Sequence, residues 1–147
     1  MLAQGILLSM RPVYAERIFD GTKTVELRRV RPKISVGDTV LVYVSSPVKA
    51  IIGCFLVDGL VCLPPEQLWR RVRHCAGVTR SEFDDYYRSA SSSTAIFIRD
   101  AKRFDHRIEL NALRARSAGF RPPRSYRYVH TMRSEMRNFL GSLNALD

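Results

Sequence analysis

Two segments in the middle of the chain restrict its fold most. Thr39-Val40-Leu41-Val42-Tyr43-Val44 is apolar on both faces of an extended chain, and Lys49 to Leu63 follows as a second long apolar segment. A strand that is apolar on both sides is buried on both sides, as in a barrel stave with a helix packed outside it. Gly53 lies in the first half of the second segment and Asp58-Gly59 interrupts it. An internal glycine marks the sharp bend or bulge that closes a barrel. The segment therefore reads as two strands, or as one strongly coiled strand, around Asp58-Gly59.

The rest of the chain supplies strands and short helices around that pair. Ile6 to Ser9 reads as a first strand, and Pro12 suits the first turn of a helix, where a missing N–H costs nothing. Tyr14, Ala15, Ile18 and Phe19 share one side of that helix, and Gly21 ends it as a left-handed cap. Val25 and Leu27 then alternate with Thr24, Glu26 and Arg28, which predicts a strand with one apolar face at a helix-to-strand turn on the surface. Pro64-Pro65 opens a helix carrying Leu68, Val72 and Cys75, with Gly77 as its cap. Thr79 and Glu82 form a capping-box pattern ahead of a helix whose Phe83, Tyr86, Tyr87 and Ala90 fall on one side; Tyr86 and Tyr87 could stack bases, but aromatics at helical spacing are more often core, and core is the favoured reading. Thr94 to Arg99 is a strand expected to pair with Phe104 to Leu110 across a turn at Asp100-Ala101-Lys102. Asn111 to Phe120 is read as a short helix. Met132, Met136, Phe139, Leu140 and Leu143 form an apolar stripe that predicts a C-terminal helix over about 131–143, docked on the barrel, with 144–147 as a tail.

These elements imply an α+β fold: a closed or partly open β-barrel of five to seven mostly antiparallel strands with flanking helices. At 147 residues and 46% apolar content, one core is affordable and two are not, so residues 1–147 are read as a single domain. No run of about 18 apolar residues exists to span a bilayer, and Met1-Leu2-Ala3-Gln4-Gly5 lacks the basic flank of a secretory signal. A soluble cytoplasmic protein with no membrane partner is expected. Cys54, Cys62 and Cys75 are odd in number and lack CxxC spacing, which suits reduced, structural thiols.

Charge points to a partner. The net charge is +10, and 20 of the 24 basic residues are arginine. Arginine offers a planar fork that grips phosphate and stacks on bases, so the bias favours a nucleic-acid ligand over a merely solvated surface. Other chemistries find no footing. His74, His106 and His130 have no Cys or carboxylate at ligand spacing, so no metal is expected. The eight glycines sit singly, with neither a phosphate-binding GxxxxGK[ST] nor a dinucleotide fingerprint, and no cofactor is expected. No GxSxG pattern nominates a nucleophile.

The densest chemistry lies in Gly21-Thr22-Lys23-Thr24-Val25-Glu26-Leu27-Arg28-Arg29. On a strand, Glu26 and Arg28 share one face with α-carbons roughly 7 Å apart. Lys23 falls out of phase and is placed in the turn, able to swing to either side. An exposed pairing of Glu26 with Arg28 or Lys23 would contribute only about 0–1 kcal/mol. Arg31 and Lys33 extend the basic run. Ser45 and Ser46 offer hydroxyls at a strand end, for a phosphate or, more commonly, for turn capping. Arg124, Ser125, Tyr126, Arg127 and Tyr128 alternate basic and aromatic character. Either they form a single-stranded RNA surface, or Tyr126 and Tyr128 belong to a last barrel strand and only the arginines face water.

Gly21, Lys23, Glu26 and Arg28 spell GxKxxExR, which resembles the signature of the ASCH domain family. Ile6-Leu7-Leu8-Ser9, Val36-Gly37-Asp38 and Pro122-Pro123-Arg124-Ser125-Tyr126-Arg127-Tyr128 extend the resemblance over roughly residues 5 to 130. It implies a PUA-like barrel and a role in RNA binding. Some family members resembling this chain are amidohydrolases of acylated cytidines and others are ribonucleases. The amidohydrolase branch carries a hydroxyl residue three positions after the motif lysine; here that position is Glu26, which argues against that activity.

The leading expectation is thus a module binding RNA or a nucleotide, with DNA as a further possibility, in a basic cleft. Its residues are Gly21, Lys23, Glu26, Arg28, Arg29, Arg31, Ser45, Ser46, Arg124, Ser125, Tyr126 and Arg127. The alternative is a metal-independent hydrolase of RNA or of a modified nucleoside, with Lys23 polarising an oxygen and Glu26 handling a proton. Transcriptional regulation would need a helix-turn-helix, which the pattern lacks.

Overall fold

The structure, a computed structural model, describes residues 5–128. Strands β1 (Gly5–Met10), β2 (Val25–Arg28), β3 (Thr39–Val44), β4 (Ala50–Leu63), β5 (Ser93–Glu109) and β6 (Tyr126–Tyr128) alternate with helices α1 (Pro12–Phe19), α2 (Pro65–Val72), α3 (Arg80–Tyr86) and α4 (Leu110–Arg116). The strands form one six-stranded sheet in the order β2-β5-β4-β3-β1-β6. Only β1 and β3 run parallel; every other pairing is antiparallel. The expected α+β arrangement of mostly antiparallel strands with flanking helices is therefore what forms, as an open curl. The two end strands of that order approach each other, because Arg28 of β2 hydrogen-bonds Ser125, just ahead of β6.

Alternation along the strands builds the cores. Ile6, Leu8, Val40, Val42 and Val44 join Ala15 and Ile18 of α1 and Phe55, Val57 and Ile96 in the main cluster. Leu7, Leu41 and Tyr43, out of phase with those, form a second cluster with Ile108, Leu113 and Phe120 on the other face. With both faces covered, β3 is buried for nearly its whole length, as its unbroken apolar sequence requires. A third cluster covers the β2 end, where Val25, Leu27 and Ala95 pack under Leu68 and Val72 of α2 and Phe83 and Tyr87. Burying each such aliphatic side chain contributes about 1.5–3 kcal/mol.

Pro12 opens α1 and Gly21 beyond it takes φ +88°. The helix expected to carry Cys75 and end at Gly77 instead stops at Val72 with Arg73 as its cap, and Gly77 takes φ +63° in the loop that follows. At α3 the capping box is complete: the Thr79 side chain accepts the Glu82 N–H, and the Glu82 carboxylate accepts the Thr79 N–H.

Two strands behave differently from a local reading. β4 is one continuous coiled strand of 14 residues, the second of the two arrangements expected around Asp58-Gly59. The expected turn at Asp100-Ala101-Lys102 does not form. Residues 93–109 run as a single 17-residue strand along β4, from Leu63↔Ser93 to Ala50↔Glu109. A hairpin would have left the first half of β4 paired with β3 alone; instead Ala50, Ile51, Gly53 and Cys54 also pair with Glu109, Ile108, Arg103 and Lys102 of β5. Register shifts at Ile51/Gly53, Cys54/Leu56 and Val57/Gly59 bulge this ribbon and add twist, which curls the sheet. Among the described residues no helix is long and apolar enough to cross a membrane. The helix expected over 131–143 lies outside the described residues.

Gly53 shows why α1 can lie so close to the ribbon. A Cβ there would stand 2.4 Å from the Lys102 carbonyl oxygen and 2.6 Å from Cζ of Phe19. Gly53→Ala is therefore expected to lower stability by about 1–3 kcal/mol, the range for overpacking. Urea unfolding checks this, and a midpoint equal to wild type would show that α1 is not held against β4 in this way.

Candidate nucleic-acid interface

The turn before β2 is tied down at both ends. The Lys23 N–H donates to the Arg17 carbonyl (2.9 Å), the Thr24 N–H to the Cys75 carbonyl (3.0 Å), and the Thr24 carbonyl accepts the Ile98 N–H (3.0 Å). Lys23 is not a swinging turn residue. It is 2% exposed, its Nζ donates to the Ala76 carbonyl at 2.7 Å, and it lies 5.6 Å from the centre of the Tyr14 ring. Gly77 covers it so closely that a Cβ there would sit 2.5 Å from the Lys23 Cβ. Burial holds the Lys23 ammonium below the usual lysine range. Glu26 opposes that shift, while Arg17 and Arg28 add to it.

Glu26 and Arg28 do share a face, turned away from Val25 and Leu27, but the pair is not exposed. They are 5% and 8% accessible, and Glu26 Oε2 lies 3.5 Å from Arg28 Nη2. Glu26 Oε1 accepts the Leu27 N–H at 2.8 Å. Arg28 donates through Nη1 to Ser125 Oγ (3.2 Å) and through Nη2 to the Ser9 carbonyl (3.0 Å). The small energy assigned to an exposed pair does not apply here. Removing one partner of a buried pair costs about 3–5 kcal/mol, because the other charge is left uncompensated. Glu26 Oε2 and Arg28 Nε make no hydrogen bond among the described residues.

Above these side chains opens a cleft of about 870 Å³. Lys23, Glu26, Arg28, Arg29, Arg124 and Ser125 of the expected set line it. Arg29, Arg124 and Ser125 are exposed, as is Arg11, which lies outside the expected set and also lines the cleft. The other expected residues lie elsewhere. Gly21 is the exposed end of α1, and Arg31 is exposed beyond the lining. Ser45 and Ser46 sit in the β3–β4 turn, where the Ser45 N–H donates to the Met10 carbonyl. Tyr126 and Tyr128 pack against each other at 5.6 Å and against the main core, as residues of a last strand. Arg127 sits 6.0 Å from the Phe120 ring.

Sequence reasoning missed several lining residues, among them Tyr86, Glu82 and Ser9. Tyr86 was read as core, yet it is half-buried and faces the cleft, whereas Tyr87 is buried and its hydroxyl donates to the Arg28 carbonyl at 3.1 Å. Glu82 was visible only as a cap. It also accepts the Tyr14 hydroxyl at 3.2 Å and pairs with Arg17 at 3.5 Å. Ser9, the last residue but one of β1, donates to the Pro123 carbonyl at 2.6 Å. No group of three His, Cys, Asp or Glu residues with metal-site geometry occurs among the described residues.

Comparison with known proteins follows the same outline. The ASCH domain model matches residues 8–105. A curated "ASCH domain-containing ribonuclease" from Zymomonas mobilis is 30% identical over 123 residues, 84% of this chain and 82% of that protein. The crystal structure of ASCH from Zymomonas mobilis superposes with a TM-score of 0.85 at 30% identity, covering 95% of this chain and 94% of that one. Human THYN1, solved in complex with 5-methylcytosine-containing DNA, has a TM-score of 0.55 at 15% identity over 96% of this chain and 97% of its own. At that distance the likeness is one of fold, and the fold is PUA-like.

Two consequences of the buried lysine can be measured. Gly77→Ala combines a contact of 2.5 Å to Lys23 with φ +63° and should cost about 1–3 kcal/mol in urea unfolding. Gly37→Ala, at φ +94° with open space around it, serves as the control for backbone strain alone. Because folding lowers the Lys23 pKa, the unfolded chain binds more protons between the folded value and the ordinary 10.5. The stability of wild type relative to Lys23→Met should therefore rise with pH in that window. A flat difference up to pH 10.5 would show that burial does not penalise the ammonium.

Proposed function

The chain belongs to the ASCH domain family, and we propose that its cleft binds RNA or a nucleotide. One observation carries this reading: three of the motif's side chains, Lys23, Glu26 and Arg28, converge on a single open cleft whose exposed rim bears Arg11, Arg29 and Arg124. The two levels have different tasks. Rim arginines in water meet phosphates through charge and release counterions. Lys23, Glu26 and Arg28, nearly stripped of water, act through directed hydrogen bonds: Glu26 accepts from a base edge, and the cations donate to oxygens. The relative named as a ribonuclease, aligned over most of this chain, supports a polynucleotide partner; DNA is the other polymer the same rim would attract.

A second reading, RNA cleavage without metal, is favoured by the depressed ammonium of Lys23 beside the Glu26 carboxylate. Glu26 takes the proton of a ribose 2′-hydroxyl, the freed oxygen attacks the adjacent phosphorus, and the bond to the departing 5′-oxygen breaks as that oxygen takes a proton from water; Glu26 then returns its proton to the solvent. Lys23 and Arg28 steady the charge on the phosphoryl oxygens, leaving a 2′,3′-cyclic phosphate and a 5′-hydroxyl.

Fluorescence anisotropy with a short labelled RNA across a salt series tests binding. Three rim contacts at about 0.7 each predict a slope of log affinity against log salt near −2, and Arg11→Ala or Arg124→Ala should each remove about 0.7 of it. Slopes near zero would remove the rim from the interface. Incubation of the protein with RNA in EDTA separates the two readings: product that disappears in Lys23→Met and Glu26→Gln supports cleavage, and intact RNA under stable binding supports a module that binds only.

A further inference from the structure

Beside the buried floor of the cleft stands a second, differently built surface. Arg29 Nε donates to the Tyr86 carbonyl at 2.7 Å, and the Arg29 guanidinium carbon lies 4.7 Å from the centre of the Tyr86 ring. The hydrogen bond and the ring fix the guanidinium from one side, and its exposure leaves the other side to solvent. Tyr86 is braced in turn: its ring meets Tyr87 edge-on at 4.8 Å, and the Tyr87 hydroxyl is anchored on the Arg28 carbonyl. Val30, 67% exposed, follows Arg29 at the mouth of the cleft. A flat cation held rigidly on an aromatic ring and next to an apolar side chain is an arrangement that a solvated phosphate contact does not require.

Resting on the RNA reading above, we infer that the Arg29–Tyr86 stack is a platform for one unpaired nucleobase, which makes the cleft selective for single-stranded RNA. Guanidinium planes and aromatic rings accept the faces of all four bases, so the platform fixes strandedness rather than sequence. Two nine-tenths-buried side chains of the same cleft suit the edge of a base held there: Lys23, whose Nζ makes a single hydrogen bond among the described residues, and Glu26, whose Oε2 makes none. A base paired inside a duplex has neither a free face nor a free Watson–Crick edge to offer.

The test measures binding of an oligouridylate, an abasic ribose-phosphate oligomer of equal length, and an RNA duplex. Stacking of one base should make wild type favour oligouridylate over the abasic oligomer by roughly tenfold, and over the duplex as well. Arg29→Lys keeps the charge but gives up the planar fork, and Tyr86→Leu removes the ring beneath it. Each should bring the ratio of the two single-stranded affinities close to one. A wild-type ratio near one, or a tenfold ratio kept by both variants, overturns the platform while the RNA reading stands. Failure of wild type to bind any of the three overturns the RNA reading and the platform with it.

Discussion

Arg28 is the residue on which the shape of the cleft depends. Its own strand, β2, stands at one end of the sheet order, and the groups it holds, Ser9 of β1 and Ser125 at the entry to β6, stand at the other. Its backbone is pinned as well, since its carbonyl accepts the Tyr87 hydroxyl. A guanidinium with five donors in a fixed fork can bridge two strand ends at once, which a lysine could not do with the same geometry. The cleft is therefore the seam of the curl, and the side chain that closes the seam is also part of its floor.

Lys23 is held by a different device. The loop between α2 and α3 folds back over the turn before β2, accepts the Thr24 N–H on Cys75 and the Lys23 Nζ on Ala76, and needs Gly77 to come this close. Dehydrating an ammonium group is costly, and the lowered proton affinity of Lys23 is the trace of that cost. What the arrangement achieves is fixed direction. A solvated lysine samples many rotamers, and ordering one costs up to about 2 kcal/mol on binding; here that ordering is complete before any ligand arrives.

Short-range signals in the sequence were dependable. Pro12, Gly21 and the Thr79–Glu82 box mark helix ends where they occur, and the unbroken apolar run of Thr39 to Val44 became a strand covered on both faces. The motif itself located the cleft, because a period of two puts Glu26 and Arg28 on one face whatever the surroundings. The errors all concern partners distant in sequence. Lys23 looked free because Ala76, which holds it, is 53 residues away. The turn at Asp100-Ala101-Lys102 looks sound locally because nothing nearby in sequence tells that β4 is long enough to pair with both ends of β5. Tyr86 and Tyr87 are adjacent on one short helix, yet one is buried and the other faces the cleft, a distinction that depends on where β2 lies beneath them.

A carboxylate set between two cations in the floor of a cleft needs a physical reason, and the burial of its neighbours supplies one. Lys23 and Arg28 are both less than a tenth exposed, and two cations in that setting without a counter-ion would each carry an uncompensated penalty of several kcal/mol. Glu26, 3.5 Å from Arg28 and acting electrostatically on Lys23, offsets part of it. The acid is thus a condition for placing two cations in the floor at all. It leaves the floor with one net positive charge, so most of the positive charge around the cleft lies on the exposed arginines of the rim. Charge outside and hydrogen-bond direction inside are separate properties in this cleft, carried by separate residues, and substitution can remove either one without the other.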